Sequence, residues 1–123
     1  MSFDTQGNVI GLIIYEVDRV YEIAFDFGAI NFTDNKVVFG KDLFKVLDDI
    51  FCKFNIPKME FCCVIGNPIE RSYDRMIKKF GGNIIGVRKQ HCKLHDNQLY
   101  NDKIYELFRD NYIKSKLLPM LRK

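Results

Sequence analysis

The chain has 123 residues, enough for one domain with a real core and too few for two. Nineteen basic residues against 16 acidic ones leave a formal charge of +3, too small an excess to argue for nucleic acid, though it suits an anionic ligand. No stretch reaches the roughly 18 apolar residues a membrane helix needs, and Met1 to Asn8 has neither the basic start nor the apolar run of a secretory signal, so a cytoplasmic protein with reduced thiols is expected.

Val9 to Glu16 is mostly apolar and β-branched, Asp18-Arg19 suits a turn, and Val20 to Phe27 alternates. Two such runs predict an antiparallel hairpin, with Tyr21, Ile23, Phe25 and Phe27 on one face and Glu22, Ala24 and Asp26 on the other. A bulge or bend at Gly28 would let the second strand run on to Phe32. Thr33 to Lys36 is loop chemistry. Leu43, Leu47, Ile50, Phe51 and Phe54 then share one helical face, predicting a helix over 40–54 that ends before Asn55-Ile56-Pro57. Glu60 to Ile65 reads as a short buried strand.

Gly66-Asn67-Pro68 opens a second helix over 68–80, with Asn67 as its cap and Pro68 in its first position. Ile69, Tyr73, Met76, Ile77 and Phe80 form its buried stripe, and Gly81-Gly82 stops it. Ile84 begins a strand that extends toward Leu94, His95 to Gln98 is a polar turn, and Leu99 to Phe108 returns as strand. The tail has helical spacing at Phe108, Tyr112, Leu117 and Met120, limited by Pro119. Strands exchanging with helices in this way predict an α/β chain, a mixed sheet with helices on its faces. The adjacent Cys62 and Cys63 would point to opposite sides of their strand, and neither they nor Cys52 and Cys92 have metal-ligand spacing, so no metal is expected.

The stretch from Asn67 to Gly82, between two apolar strands, resembles the GCN5-related N-acetyltransferase (GNAT) superfamily, with the likeness extending over about residues 9–110 and 111–123 forming a C-terminal tail. It implies a single GNAT-like domain whose twisted, mostly antiparallel sheet of about five strands contains a splayed central pair. Strand 59–65 would diverge from the strand ending at Phe32, and the gap would take the pantetheine arm of acetyl-coenzyme A. The family's phosphate loop reads Arg or Gln, two residues, Gly, one residue, then Gly or Ala. Asn35, Val38 and Gly40 occupy those positions, and only Gly40 keeps the pattern. Lys36 and Lys41 would supply positive charge near a helix start, where backbone N–H groups favour anions. The cofactor-binding positions implied are therefore Ile30, Asn31, Phe32, Asn35, Lys36, Val38, Phe39, Gly40, Lys41 and Asn67.

Direct acetyl transfer needs a base for the amine and an acid near the departing thiolate. The resemblance implies a strand carboxylate as base, Glu22 or Asp26, and a helix tyrosine as acid. Tyr73 is the candidate, although counting back from Gly81 gives Ile77 and counting forward from Asn67 gives Asp74; core packing explains Tyr73 equally well. The family's opening strand and two helices have no counterpart in Met1 to Asn8. The implied activity is transfer from acetyl-CoA to an amine of a protein or small molecule. The alternative is a non-catalytic interaction module that pairs with a protein partner, or with itself as a homodimer, through the sheet edge around Val9 to Glu16. The basic tail (Lys114, Lys116, Arg122 and Lys123) reads as a solvated face, so no nucleic acid is expected.

Overall fold

A computed structural model describes residues 1–121, with side chains through Leu117. Arg122 and Lys123 lie outside the described residues, as do the side chains of Pro119 and Met120. The elements run β1 (Ser2–Phe3), β2 (Val9–Asp18), β3 (Ile23–Asn31), α1 (Lys36–Asp48) with a π-turn (Asp49–Lys53), β4 (Lys58–Val64), α2 (Glu70–Phe80), β5 (Asn83–Lys93), β6 (Leu99–Phe108) and α3 (Arg109–Leu121). They build a six-stranded sheet ordered β1-β2-β3-β4-β6-β5. Every pairing is antiparallel except β3 with β4.

The hairpin forms where the alternation places it, with two corrections. Val20 to Glu22 leave the strand because the Asp18 carboxylate accepts the Val20 and Tyr21 N–H groups at 2.9 and 3.2 Å, fixing a local turn. The irregularity falls before Gly28: Ile14 faces Gly28 and Glu16 faces Phe25, so Tyr15 alone spans Asp26 and Phe27. Asp26 takes a left-handed φ of 52° at this bulge. An extra residue reverses the alternation. Ala24 is buried before the bulge, Phe27 and Ala29 after it, and Phe25 moves to the face opposite Phe27.

Helix α1 begins at Lys36, four residues before the predicted start, because Asn35 Oδ1 accepts the Val38 N–H at 3.2 Å and caps it there. Phe39 then packs over Gly11, where a Cβ would stand 2.5 Å from the ring and 2.6 Å from the Ile30 carbonyl oxygen. The helix closes in the π-turn, with the Phe54 N–H on the Asp49 carbonyl at 2.8 Å. Helix α2 begins at Glu70, two residues later than predicted. The N-cap position is Ile69, without a side-chain cap, and Asn67 instead fixes the turn before it: its Oδ1 accepts the Ile69 N–H and its carbonyl the Glu70 N–H, each at 3.0 Å. Gly81 ends the helix at φ 74°.

The edge of β2 is partly covered. β1 pairs with it at Gly11 and Val9, and Ser2, 1 % exposed, donates from its hydroxyl to Asp42 on α1. The C-terminal segment is α3, which buries Tyr112 against Phe51 and Phe80 at ring separations of 4.9 and 4.8 Å.

All three helices lie on one face of the sheet. Gly11 meets α1 through Phe39. Phe27, Phe61 and Tyr105 meet α2 around the Tyr73 ring. Side chains alternate along strands, so Leu12, Ile14, Phe25, Ile30, Glu60, Cys62 and Ile104 take the opposite face. Among the described residues no helix covers that face; Ile14 and Ile30 on it are 56 and 55 % exposed.

Candidate active site

Parallel strands β3 and β4 pair only at Ile23 with Lys58 and Ala24 with Met59. Beyond these two pairs the Asp26 bulge carries β3 away, while β4 stays paired with β6 as far as Val64 opposite Asp102. The central pair therefore splays, and the backbone edge of β3 after the bulge faces a gap rather than a strand.

Tyr73 of α2 enters this gap. Its Oη accepts the Ala29 N–H at 3.2 Å. Its ring is held by Phe61 at 5.0 Å, Tyr105 at 6.0 Å and Phe27 at 6.3 Å, and the residue is 3 % exposed. Burial pushes the phenol up to about 12, against the lowering effect of the Ala29 N–H. The hydroxyl therefore stays protonated at neutral pH. Because its oxygen accepts from Ala29, its own proton is free for another acceptor, and none takes it among the described residues. A protonated hydroxyl at the parting of two strands can donate a proton to a group in that gap.

A charged network flanks Tyr73. Lys103 of β6 reaches Glu70 at 2.6 Å and Asp74 at 3.2 Å. Tyr105 donates its hydroxyl to Asp74 at 2.7 Å, and the Gly66 N–H donates to Glu70 at 3.1 Å.

The carboxylates proposed as bases stand differently from one another. Asp26 is exposed at the bulge, where the strands part. Glu22 is exposed in the turn before β3 at φ 55°, outside the diverging segment. Neither has a contact with Tyr73.

The implied cofactor positions cluster at the end of β3 and the start of α1. Ile30 and Phe32 are exposed, while Phe39 is core and Val38 packs against it. Asn31 orders the loop: its amide donates to the Asn35 carbonyl at 3.2 Å and its oxygen accepts the Thr33 N–H at 3.0 Å. Lys36 and Lys41 are exposed in the first turns of α1. A Cβ at Gly40 would meet nothing within 4 Å, so internal packing does not demand this helix glycine. Asn67 is exposed and committed to the turn before α2. The β3 edge left unpaired beyond Ala24 fits an amide-bearing arm, although its Ala29 N–H is taken by Tyr73, and a helix start with two lysines fits phosphates.

The cysteines follow strand alternation, Cys62 exposed and Cys63 buried. Burial raises both thiols, Cys63 to about 11, the opposite of an activated nucleophile. Among the described residues no three His, Cys, Asp or Glu side chains gather as metal ligands, and no helix is long and apolar enough to cross a membrane. On the uncovered face a cavity of about 250 Å³ is lined by Asp18, Ile23, Phe25 and Glu60, beside the paired ends of β3 and β4.

No protein-family model matches the chain, and neither does any curated protein. Solved structures do. Spermidine/spermine N-acetyltransferase SpeG from Vibrio cholerae, with manganese ions, superposes at a TM-score of 0.75 and 19 % identity over 91 % of this chain and 65 % of its own. A SpeG chimera from Vibrio cholerae and hSSAT gives 0.74 and 19 % over 90 and 66 %. A crystal structure assigned only as an acetyltransferase gives 0.72 and 18 % over 89 and 56 %. The chain thus spans 56 to 66 % of the length of these structures. At such identities the likeness establishes the fold alone, and that fold is the one these acetyltransferase structures share.

Ala29 and the charged network were not among the sequence-derived candidates. A backbone N–H has no sequence signature. The network left a faint one, Glu70 and Asp74 four apart on a helix and Lys103 and Tyr105 two apart on a strand.

Proposed function

We propose that this chain is a cytoplasmic, acetyl-CoA-dependent N-acetyltransferase that works by direct transfer to an amine. One observation carries the reading: the β3–β4 pair parts after two residue pairs, and the Ala29 N–H in the gap meets only the Tyr73 hydroxyl. Acetyl-CoA would supply the acetyl group already activated as a thioester. The Ala29 N–H would hold the Tyr73 oxygen in the gap, leaving the hydroxyl proton free to be given up. Tyr73 would hold a proton at Oη for the sulfur that departs. Asp26, at the parting of the strands, is the better placed of the two carboxylates to take the proton of an incoming amine. Asn35, Lys36, Lys41 and the space over Gly40 would receive the phosphates.

Polyamines are the first acceptors to try, because the fold neighbours are spermidine and spermine acetyltransferases. Titration calorimetry with acetyl-CoA should show micromolar binding, and released thiol should be detected with spermidine or a lysine peptide. Tyr73→Phe should lower turnover by about 10²-fold, as for loss of a general acid, with acetyl-CoA binding kept. Heat-silent titration at millimolar acetyl-CoA would end this reading.

A second reading, a non-catalytic module that binds a protein or itself, draws on the bare sheet face with Ile14 and Ile30. Sedimentation across a range of concentrations tests it: a monomer throughout, with turnover present, removes it.

A further inference from the structure

We propose that Lys103 is a positioning residue for the Tyr73 hydroxyl: by bridging Glu70 and Asp74 it fixes the rotation of α2 about its own axis, and so the contact of Tyr73 with Ala29. This rests on Tyr73 being part of the proposed reaction.

The two carboxylates flank Tyr73 in sequence, three residues before and one after. Both are gripped by one ammonium on β6, at 2.6 Å for Glu70 and 3.2 and 3.3 Å for the two Asp74 oxygens. Asp74 also accepts from Tyr105 at 2.7 Å, and the Tyr105 ring stands edge-on to Tyr73 at 6.0 Å. The Gly66 N–H holds the other Glu70 oxygen at 3.1 Å. The first two turns of α2 are thereby tied to β6 and to the loop that leaves β4.

The geometry makes the contact sensitive to small rotations. A phenol oxygen stands roughly 9 Å from its helix axis, so ten degrees of rotation would carry it about 1.5 Å. The Ala29 contact is 3.2 Å already, and such a shift breaks it. Without the ammonium, Glu70 and Asp74 are like charges one turn apart, and the tie from both of them to β6 is lost. The titration of the group agrees: burial lowers Lys103, yet its bonds to Glu70 and Asp74 leave it raised above its ordinary value, and the Lys103 bond is the largest cause holding Glu70 low.

The test uses Lys103→Met, Lys103→Arg, Asp74→Asn and Tyr73→Phe in the full chain, checked for native folding by circular dichroism. In ligand-free protein, Lys103→Met should move the Ala29 amide resonance toward its place in Tyr73→Phe, while Lys103→Arg leaves it near wild type. In turnover, Lys103→Met should lose at least about tenfold in kcat with KM for acetyl-CoA changed less than about threefold, and Lys103→Arg should restore most of it. If Lys103→Met does not fold, Asp74→Asn carries the same measurements. An unmoved Ala29 resonance in the folded variant overturns the proposal, as does a kcat loss that Lys103→Arg fails to rescue. A wild-type chain without transferase activity would sink the proposed function, while the Ala29 resonance would still decide whether Lys103 sets the contact.

Discussion

At Gly40 the structure leaves a helix residue without a side chain and without a neighbour that forbids one. Glycine in a helix interior costs about 1 kcal/mol relative to alanine. Gly40→Ala should therefore raise the melting temperature by about 3–6 °C, read by calorimetry on the ligand-free chain. If the space over Gly40 receives phosphates, the same variant should weaken acetyl-CoA binding at least about tenfold by blocking close backbone approach. Gain in stability with loss of binding would mark the position as kept for a ligand; unchanged binding would move the phosphates elsewhere. Tyr73 presents the reverse case. Core packing and the proposed part in the chemistry fall to the same side chain, since its ring fills the cluster of Phe27, Phe61 and Tyr105 while its oxygen meets Ala29.

Among the elements, α3 depends on contacts made far along the chain. Asp48 at the end of α1 receives the Tyr112 hydroxyl and, at 2.6 Å, the Lys116 ammonium. Burial raises the Asp48 carboxyl, but the Lys116 and Tyr112 bonds outweigh it and hold the carboxyl below its ordinary value. A lowered carboxyl stabilises the fold above its unfolded value, near about 3.9, and loses that contribution as pH falls through the folded one. The α1–α3 tie should therefore weaken from about pH 5 downward. Asp48→Asn should flatten this acid limb, seen as a smaller drop in urea midpoint between pH 6 and pH 3. The contribution is modest because the pair is partly exposed. Helix α1 also shows how one residue can set a boundary: Val37 and Val38 are indifferent helix formers, and the Asn35 cap makes them helical.

For the molecule as a whole, the order of strands and helices was legible because its signals are local. Apolar spacing marked α1 and α2, Asn67 and Gly81 bracketed α2, and Pro57 closed the first helical segment. The bulge was misplaced because nothing in Asp26-Phe27-Gly28 fixes which residue is extra; that depends on pairing with Tyr15 across the hairpin. The two-residue β1 has no periodicity and exists through its pairing with β2. Of the candidate site, Tyr73 was singled out through the family resemblance, whereas the Ala29 N–H and the Lys103 clamp arise only when β3, β6 and α2 meet. The open face was invisible for the same reason, since exposure depends on what fails to pack there.

The two-pair contact between β3 and β4 makes the sheet a pair of panels joined by a short seam, β1-β2-β3 on one side and β4-β6-β5 on the other. Such a joint should flex, and the amides of β3 beyond Ala24 that face the gap should exchange with deuterium faster than those bonded to β2. A molecule wedged into the opening would touch both panels at once and stitch them together. Its arrival should then be felt as slowed exchange in β5 and β1, strands at the far margins that it never reaches.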